Sequence, residues 1–384
     1  MPSEPAVSTP TQNPYEVQNP YEVRPAIARS APAPAAPADV PRVIGGASVD
    51  DRASLLGAAI GSLAVTWLLY EEILAWSGLI GFLACWWVAF LLLYLVVSSI
   101  ANPAPVVVDR LAAAVMTSGG ALVLASLASV IFHIFQKGWA ALHHVNFYTQ
   151  DMAGVRPTAP LTQGGISHAI VGSIIMVTIA VVISLPLGIG TAVYMTEVGG
   201  RLSRIVRTVV EAMTALPDIL AGLFVYTVLI LLLGGQRNGL AAAVALSVTA
   251  TPIIARSAEV VLRVVPGGLR EAGMALGASQ WQTVRRVVLP TARSGLATSL
   301  ILGVARISGE TAPLLIVSAP STYFNANPTD LPMNSLPLFI ITGIRSGQPL
   351  AIQRAYGASA LLLTIVLVLF VVARLLARGK AGRS

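Results

Sequence analysis

Glu271-Ala272-Gly273-Met274-Ala275-Leu276-Gly277, followed after nine residues by Val287-Val288-Leu289-Pro290, forms a polar interlude between two long apolar runs, 240–263 and 294–318. Within it Ala272, Ala275 and Leu276, and then Val284, Val287 and Val288, recur at helical spacing, which predicts two short amphipathic helices with Gly277 at their joint. Glycine suits that joint because it takes up positive φ without steric cost. Arg263, Arg270, Arg285, Arg286 and Arg293 flank or interrupt the pair. A polar, arginine-rich helix pair hung between two membrane-length runs has the character of a docking element for a soluble partner, so the reading of the runs on either side decides the fold.

Working outward, the apolar pattern repeats. Of the 384 residues 55% are hydrophobic and only 11% charged, whereas a soluble domain has about a quarter charged. Eight runs approach or exceed the roughly 20 helical residues that cross a hydrocarbon core: 53–70, 79–100, 111–135, 168–194, 211–233, 240–263, 294–318 and 356–377. The chain is therefore expected to be an all-α polytopic membrane protein. Its net charge of +7 reflects loop arginines rather than nucleic-acid binding. With the tail inside, 17 Lys and Arg fall on the inner side and 5 on the outer, Lys137, Arg156, Arg237, Arg345 and Arg354, while Arg256 and Arg306 lie within spans. Cytoplasmic loops carry that excess, so an even number of spans with both termini cytoplasmic is expected. Residues 1–50 hold 10 of the 25 prolines and a repeated hexapeptide, Gln12–Val17 and Gln18–Val23, and read as a disordered tail. No secretory h-region precedes Ala53, so insertion is expected to start from the first spanning helix. Residues 136–167 and 320–355 read as long outer loops, the second with an apolar stretch, 336–344, that is too short to span.

The inventory excludes several chemistries. Lys137 and Lys380, the only lysines, end no phosphate-cradling glycine loop; His133, His143, His144 and His168 form no His-Glu-x-x-His pair; no Gly-x-Ser-x-Gly elbow occurs; and Cys85 is alone. No catalytic constellation, metal site or cofactor site is expected.

Charges inside apolar runs remain. Arg306 and Glu310 stand four apart in Arg306-Ile307-Ser308-Gly309-Glu310-Thr311-Ala312-Pro313-Leu314, on one helix face beside a glycine and a proline that interrupt the helix. Intramembrane charges mark functional sites by default, although a self-neutralising pair that fixes packing is the other reading. Arg256 and Glu259 in the sixth run form a second such pair, and Asp218, beside Pro217, is either a helix-break cap or a gate.

Two patterns resemble a known family. The segment from Glu271 to Pro290 is similar to the EAA loop of ABC-importer permeases, with Gly273 where those proteins usually carry alanine. The run from Arg306 to Leu315 resembles the signature of the phosphate importer permease of the PstA type, supported by Ser184–Gly190, Leu216-Pro217 with Gly222–Tyr226, and Pro252–Arg256 with Glu259. The resemblance covers residues 111 to 377 and implies a six-helix permease core over 106–378, preceded by an extra hairpin, 51–105, and followed by a basic end, 379–384. It implies a bacterial plasma-membrane subunit that is not itself an enzyme and that translocates inorganic phosphate. Implied partners are a second, PstC-type permease, a PstB-type ATPase homodimer that binds ATP and magnesium, and a PstS-type external phosphate-binding protein. Arg306, Glu310 and Thr311, with Arg256 and Glu259, would then line the substrate pathway, and Glu271, Ala272, Gly277, Leu289 and Pro290 would couple to the ATPase. A permease for another oxyanion, such as sulfate or molybdate, shares the loop; a gradient-driven secondary transporter or a scaffold built on the tail would not need it.

Overall fold

The computed structural model describes residues 49–74 and 76–378. Residues 1–48 of the tail expected to be disordered, and the basic end 379–384, lie outside the described residues. Within them all regular structure is helical.

The first of two compact units runs to Thr117. It contains α1 (Val49–Trp67), prolonged to Ile73 by a wide, π-type turn, α2 (Leu79–Ala101) and the start of α3 (Ala104–Leu142). Ala58, Tyr94 and Ala114 form its small core. Gly61 lets α2 come close, because a Cβ there would stand 3.1 Å from Leu93 Cδ2. Trp86 Nε1 donates to the Ala59 carbonyl at 3.2 Å, so an indole that would otherwise sit unsatisfied in lipid is paired within the unit.

The second unit begins at Ser118. After the rest of α3 come α4 (Val145–Thr149), α5 (Ser167–Val193, with a wide turn to Val198), α6 (Gly200–Ala215), α7 (Asp218–Val225, with a wide turn to Leu232) and α8 (Gly239–Val264). They are followed by α9 (Gly267–Ala275), α10 (Gln280–Thr283, with a wide turn through Val288), α11 (Leu289–Ser308), α12 (Ala312–Val317), α13 (Leu336–Arg345) and α14 (Pro349–Arg378). The hub is α8: two thirds of its apolar window, 67%, is buried, against 22% for α5. Its alanine-rich faces permit this, since small residues let helix backbones approach where lipid offers no hydrophobic drive. Ile254 is held between two glycines, Gly188 on α5 and Gly303 on α11, where added Cβ atoms would stand 2.8 and 2.6 Å from it.

Among the described residues seven helices are long and apolar enough to cross a membrane, or eight if one bent pair counts as a single span. That pair corrects the expected span 211–233. The chain turns by 102° between α6 and α7, because Leu216 precedes a proline and takes extended backbone, ψ 137°. The expected span 294–318 is also divided: helix runs unbroken from Gln280 to Ser308 and then stops at Gly309. The second of the two expected docking helices is therefore the first part of this long helix rather than a separate element. The two long loops, 136–167 and 320–355, are shorter than expected, since α3 continues to Leu142 and α14 starts at Pro349. Arg354, placed by the charge pattern in an outer loop, lies inside α14 and is 1% exposed. The apolar stretch 336–344 does form a short helix, α13, started by the Ser335 side chain accepting from the Leu338 N–H and buried along Leu336–Phe339.

Candidate functional site

The interruptions of α7 and α11 bring three charges together. Asp218 opens α7 directly after the Leu216-Pro217 bend, and Arg306 lies in the last turn of α11, just before Gly309. Arg306 Nη2 donates to Asp218 Oδ2 at 2.8 Å, and its Nη1 stands 2.8 Å from Glu310 Oε1. Glu310 has left the helix, yet the four-residue spacing still brings it to Arg306. Its side chain is only 7% exposed, whereas Arg306 is 53% exposed. An arginine half open among apolar helices requires water or a further protein surface beside it. Close packing holds the two broken helices in place: a Cβ on Gly222 of α7 would stand 2.6 Å from the Pro313 Cα of α12. Thr311, the residue before α12, makes no capping hydrogen bond through its side chain. Asp218, which the sequence offered as either a helix-break cap or a gate, stands in direct contact with Arg306.

Arg256 and Glu259 belong to a different cluster. Glu259, 2% exposed, accepts from Arg207 Nε at 2.9 Å, Arg256 Nη1 at 2.9 Å and Arg263 Nη2 at 2.6 Å. Arg256 also reaches Glu211 at 3.2 Å. Arg256 and Arg263 hold the buried carboxylate from its own helix, and the links between α6 and α8 are Arg207 to Glu259 and Arg256 to Glu211. Arg207 and Glu211 had no expected role; their spacing along an amphipathic α6 facing α8 is the signal that would have found them.

At the same end of α8, α9 turns at Gly277, φ +83°, into α10. Ser279 and Gln282 form a capping box, with the Gln282 side chain accepting from the Ser279 N–H at 2.9 Å and Ser279 Oγ accepting from the Gln282 N–H at 3.3 Å. Gly273 has a packing reason: a Cβ there would stand 3.1 Å from the Thr283 side chain, so α9 and α10 touch at that point. Glu271, Ala272 and Gly277 are exposed, together with Met274, Leu276 at 89% and Trp281 at 64%. Leu289, by contrast, is half-buried against Val288 and Leu262, and Pro290 occupies the first turn of α11. The exposed apex is therefore 271–281. Arg270 fixes it by bonds to both Glu197 oxygens, at 3.0 and 2.8 Å, and to the Leu262 and Val265 carbonyls. Those Glu197 bonds hold the guanidinium proton more firmly than usual. A cavity of about 410 Å³ lies here between Glu197, Arg263, Arg270 and Gln280.

Residues 184–381 match the family of binding-protein-dependent transport system inner membrane components. The chain belongs to that family. It is 36% identical over 244 residues to the phosphate transport system permease protein PstA 1 of Mycobacterium tuberculosis, an alignment covering 63% of this chain and 80% of that one. Identity to the phosphate transport system permease protein PstA of Yersinia pestis is 34% over 265 residues, 67% of this chain and 88% of that one. Among solved structures, an inward-facing MetNI methionine ABC transporter shares 24% identity at a TM-score of 0.45, covering 56% of this chain and 93% of that one. As an inner membrane component, the chain carries both charge clusters and the 271–281 apex within the matched residues; the first unit lies wholly outside them.

Proposed function

We propose that this chain is the transmembrane permease subunit of an ATP-driven importer that moves inorganic phosphate across the bacterial plasma membrane by alternating access. The observation that carries the reading is the Arg306–Asp218–Glu310 group, set where two discontinuous helices meet, in a chain whose relatives are phosphate transport permeases. Broken helices that converge on a site near mid-membrane are a recurrent way to bind an ion without lipid-exposed backbone. Arginine offers a permanent charge and several donors to an oxyanion. Asp218 and Glu310 hold Arg306 at rest, and phosphate displaces one of them as it passes. The half-open face of Arg306 is met by a second, PstC-type permease, so that the pathway runs between the two.

Both termini are cytoplasmic, which puts the 271–281 apex on the side of a PstB-type ATPase dimer; its exposed Leu276 and Trp281 enter a groove of that partner. The ATPase binds ATP and magnesium, and this chain contributes no hydrolysis. Phosphate arrives from an external PstS-type binding protein. In the pathway Arg306, Glu310 and Thr311 act directly, while Arg256 and Glu259 serve as the anchor between α6 and α8.

ATP-dependent uptake of labelled phosphate into proteoliposomes, using the chain with its co-purifying subunits and sulfate as competitor, tests this. Uptake that sulfate leaves unchanged is expected; uptake driven by an ion gradient without ATP would refute the reading, and inhibition by sulfate would assign the pathway to another oxyanion.

A further inference from the structure

A second group of polar side chains lies at the other end of α5 from the 271–281 apex, roughly 40 Å away along that helix. There a cavity of about 260 Å³ is lined by His168, Ser321, Asn334, Phe339 and Arg354, among others. Arg354 reaches three backbone carbonyls through Nη2 alone, those of Ala159 at 2.9 Å, Pro160 at 2.8 Å and Gln163 at 3.0 Å. Its Nε and Nη1 have no acceptor. His168, 2% exposed, has neither ring nitrogen bonded, and the Ser321 hydroxyl, 7% exposed, is likewise open. The ring of Phe339 stands edge-on to His168 at 5.7 Å and fixes its plane. The acidic side chain of this region, Asp151, accepts backbone N–H groups through both oxygens, from Ala153 at 3.1 Å and Phe324 at 2.9 Å.

Arginine keeps its proton in proteins, and a buried charge is costly unless it is paired. The bonds to Arg354 come from neutral carbonyls and satisfy one nitrogen of three. Donors left open on a buried guanidinium, a hydroxyl and an imidazole, all lining one cavity, share a single complementary ligand chemistry.

We propose that this cavity binds a small oxyanion through Arg354, His168 and Ser321, at a site separate from Arg306. A free inorganic anion and the phosphate of a lipid headgroup present the same chemistry. The site does not depend on which substrate the chain transports.

The test uses the purified complex in nanodiscs without ATP, with Arg306→Ala introduced so that the other arginine contributes nothing. Labelled inorganic phosphate is measured by equilibrium dialysis in zwitterionic lipid, and retained lipid is measured by native mass spectrometry in discs containing phosphatidylglycerol. Saturable phosphate binding in the first arm, or retained phosphatidylglycerol in the second, identifies the source. Either is expected to weaken about tenfold on Arg354→Gln, the loss of one charge-assisted contact set. Because Arg354 also holds the 159–163 backbone, His168→Asn and Ser321→Ala serve as the second pair of variants. Binding that both variants leave unchanged, or no bound anion in either arm, would overturn the proposal. Failure of phosphate uptake in the transport assay leaves these outcomes unaffected, so the two readings fail separately.

Discussion

At the scale of single residues, the Arg306 group makes the sharpest prediction. Arg306→Ala should abolish uptake while the complex still assembles, and Arg306→Lys should recover only part of it, because one ammonium cannot reproduce the fork that meets Asp218 and Glu310 from two sides. Uptake by the lysine variant equal to wild type would mean that charge alone suffices. Glu259→Gln acts differently. It leaves Arg207, Arg256 and Arg263, each a third to a half exposed, gathered around a neutral, buried amide, so that the like charges lose the carboxylate that held them together. Thermal unfolding in detergent should shift down markedly; an unchanged transition would show that solvent already satisfies the three arginines. Arg306 and Glu310 were legible in the sequence because charges in an apolar run are conspicuous. Their contact with Asp218, 88 residues away, was not, since it exists only because two helices break in the right places. Arg354 was misplaced for a related reason: the charge pattern assigns an arginine to a loop whenever the apolar run beside it is read as ending too soon.

At the scale of elements, hydropathy located the spans, and only local glycine and proline signals bore on their interruptions. The helix end at Gly309 was legible, because a glycine and a proline stand beside the charges there, whereas apolar residues lead up to Leu216-Pro217, and composition alone could not reveal a 102° turn. The docking element was legible in its first half, where Gly277 marks a real joint. It was misread in its second half, because an amphipathic start and a membrane-spanning continuation form one helix with no punctuation between them. Two predictions belong here. Ser279→Ala removes the capping oxygen of α10 and should cost about 1 kcal/mol locally, seen as faster hydrogen exchange at 280–283 and weaker retention of the ATPase during purification. Unchanged exchange would show the cap to be dispensable. Inserting one alanine between Thr298 and Ser299 turns everything beyond it by about 100°, carrying Arg306 away from Asp218 while the 271–281 apex keeps its surface. Loss of uptake with ATPase retention preserved is expected; retained uptake would mean that the orientation of Arg306 on α11 is immaterial.

For the second unit, the arrangement around α8 explains how α5, α6, α7, α11 and α12 settle on one packing: the long helix with the largest buried share is rich in small residues, so its neighbours can close on it from several sides. The alternating charge pattern anticipated the span count to within the one bent pair. The enclosure of α8 could not be anticipated, because alanine reads alike in lipid and in a core. The Glu259 cluster also bears on how the chain is made. Its four members lie on α6 and α8, so the buried Glu259 carboxylate has all three of its arginine partners as soon as α8 has been synthesised. Asp218 has no such provision. Ribosomes add about 5–20 residues per second, so the 88 residues that separate it from Arg306 impose a wait on the order of ten seconds, during which the nascent chain holds an acidic group without its cation; for that interval membrane insertion, and not transport, sets the limit on what the pathway may contain.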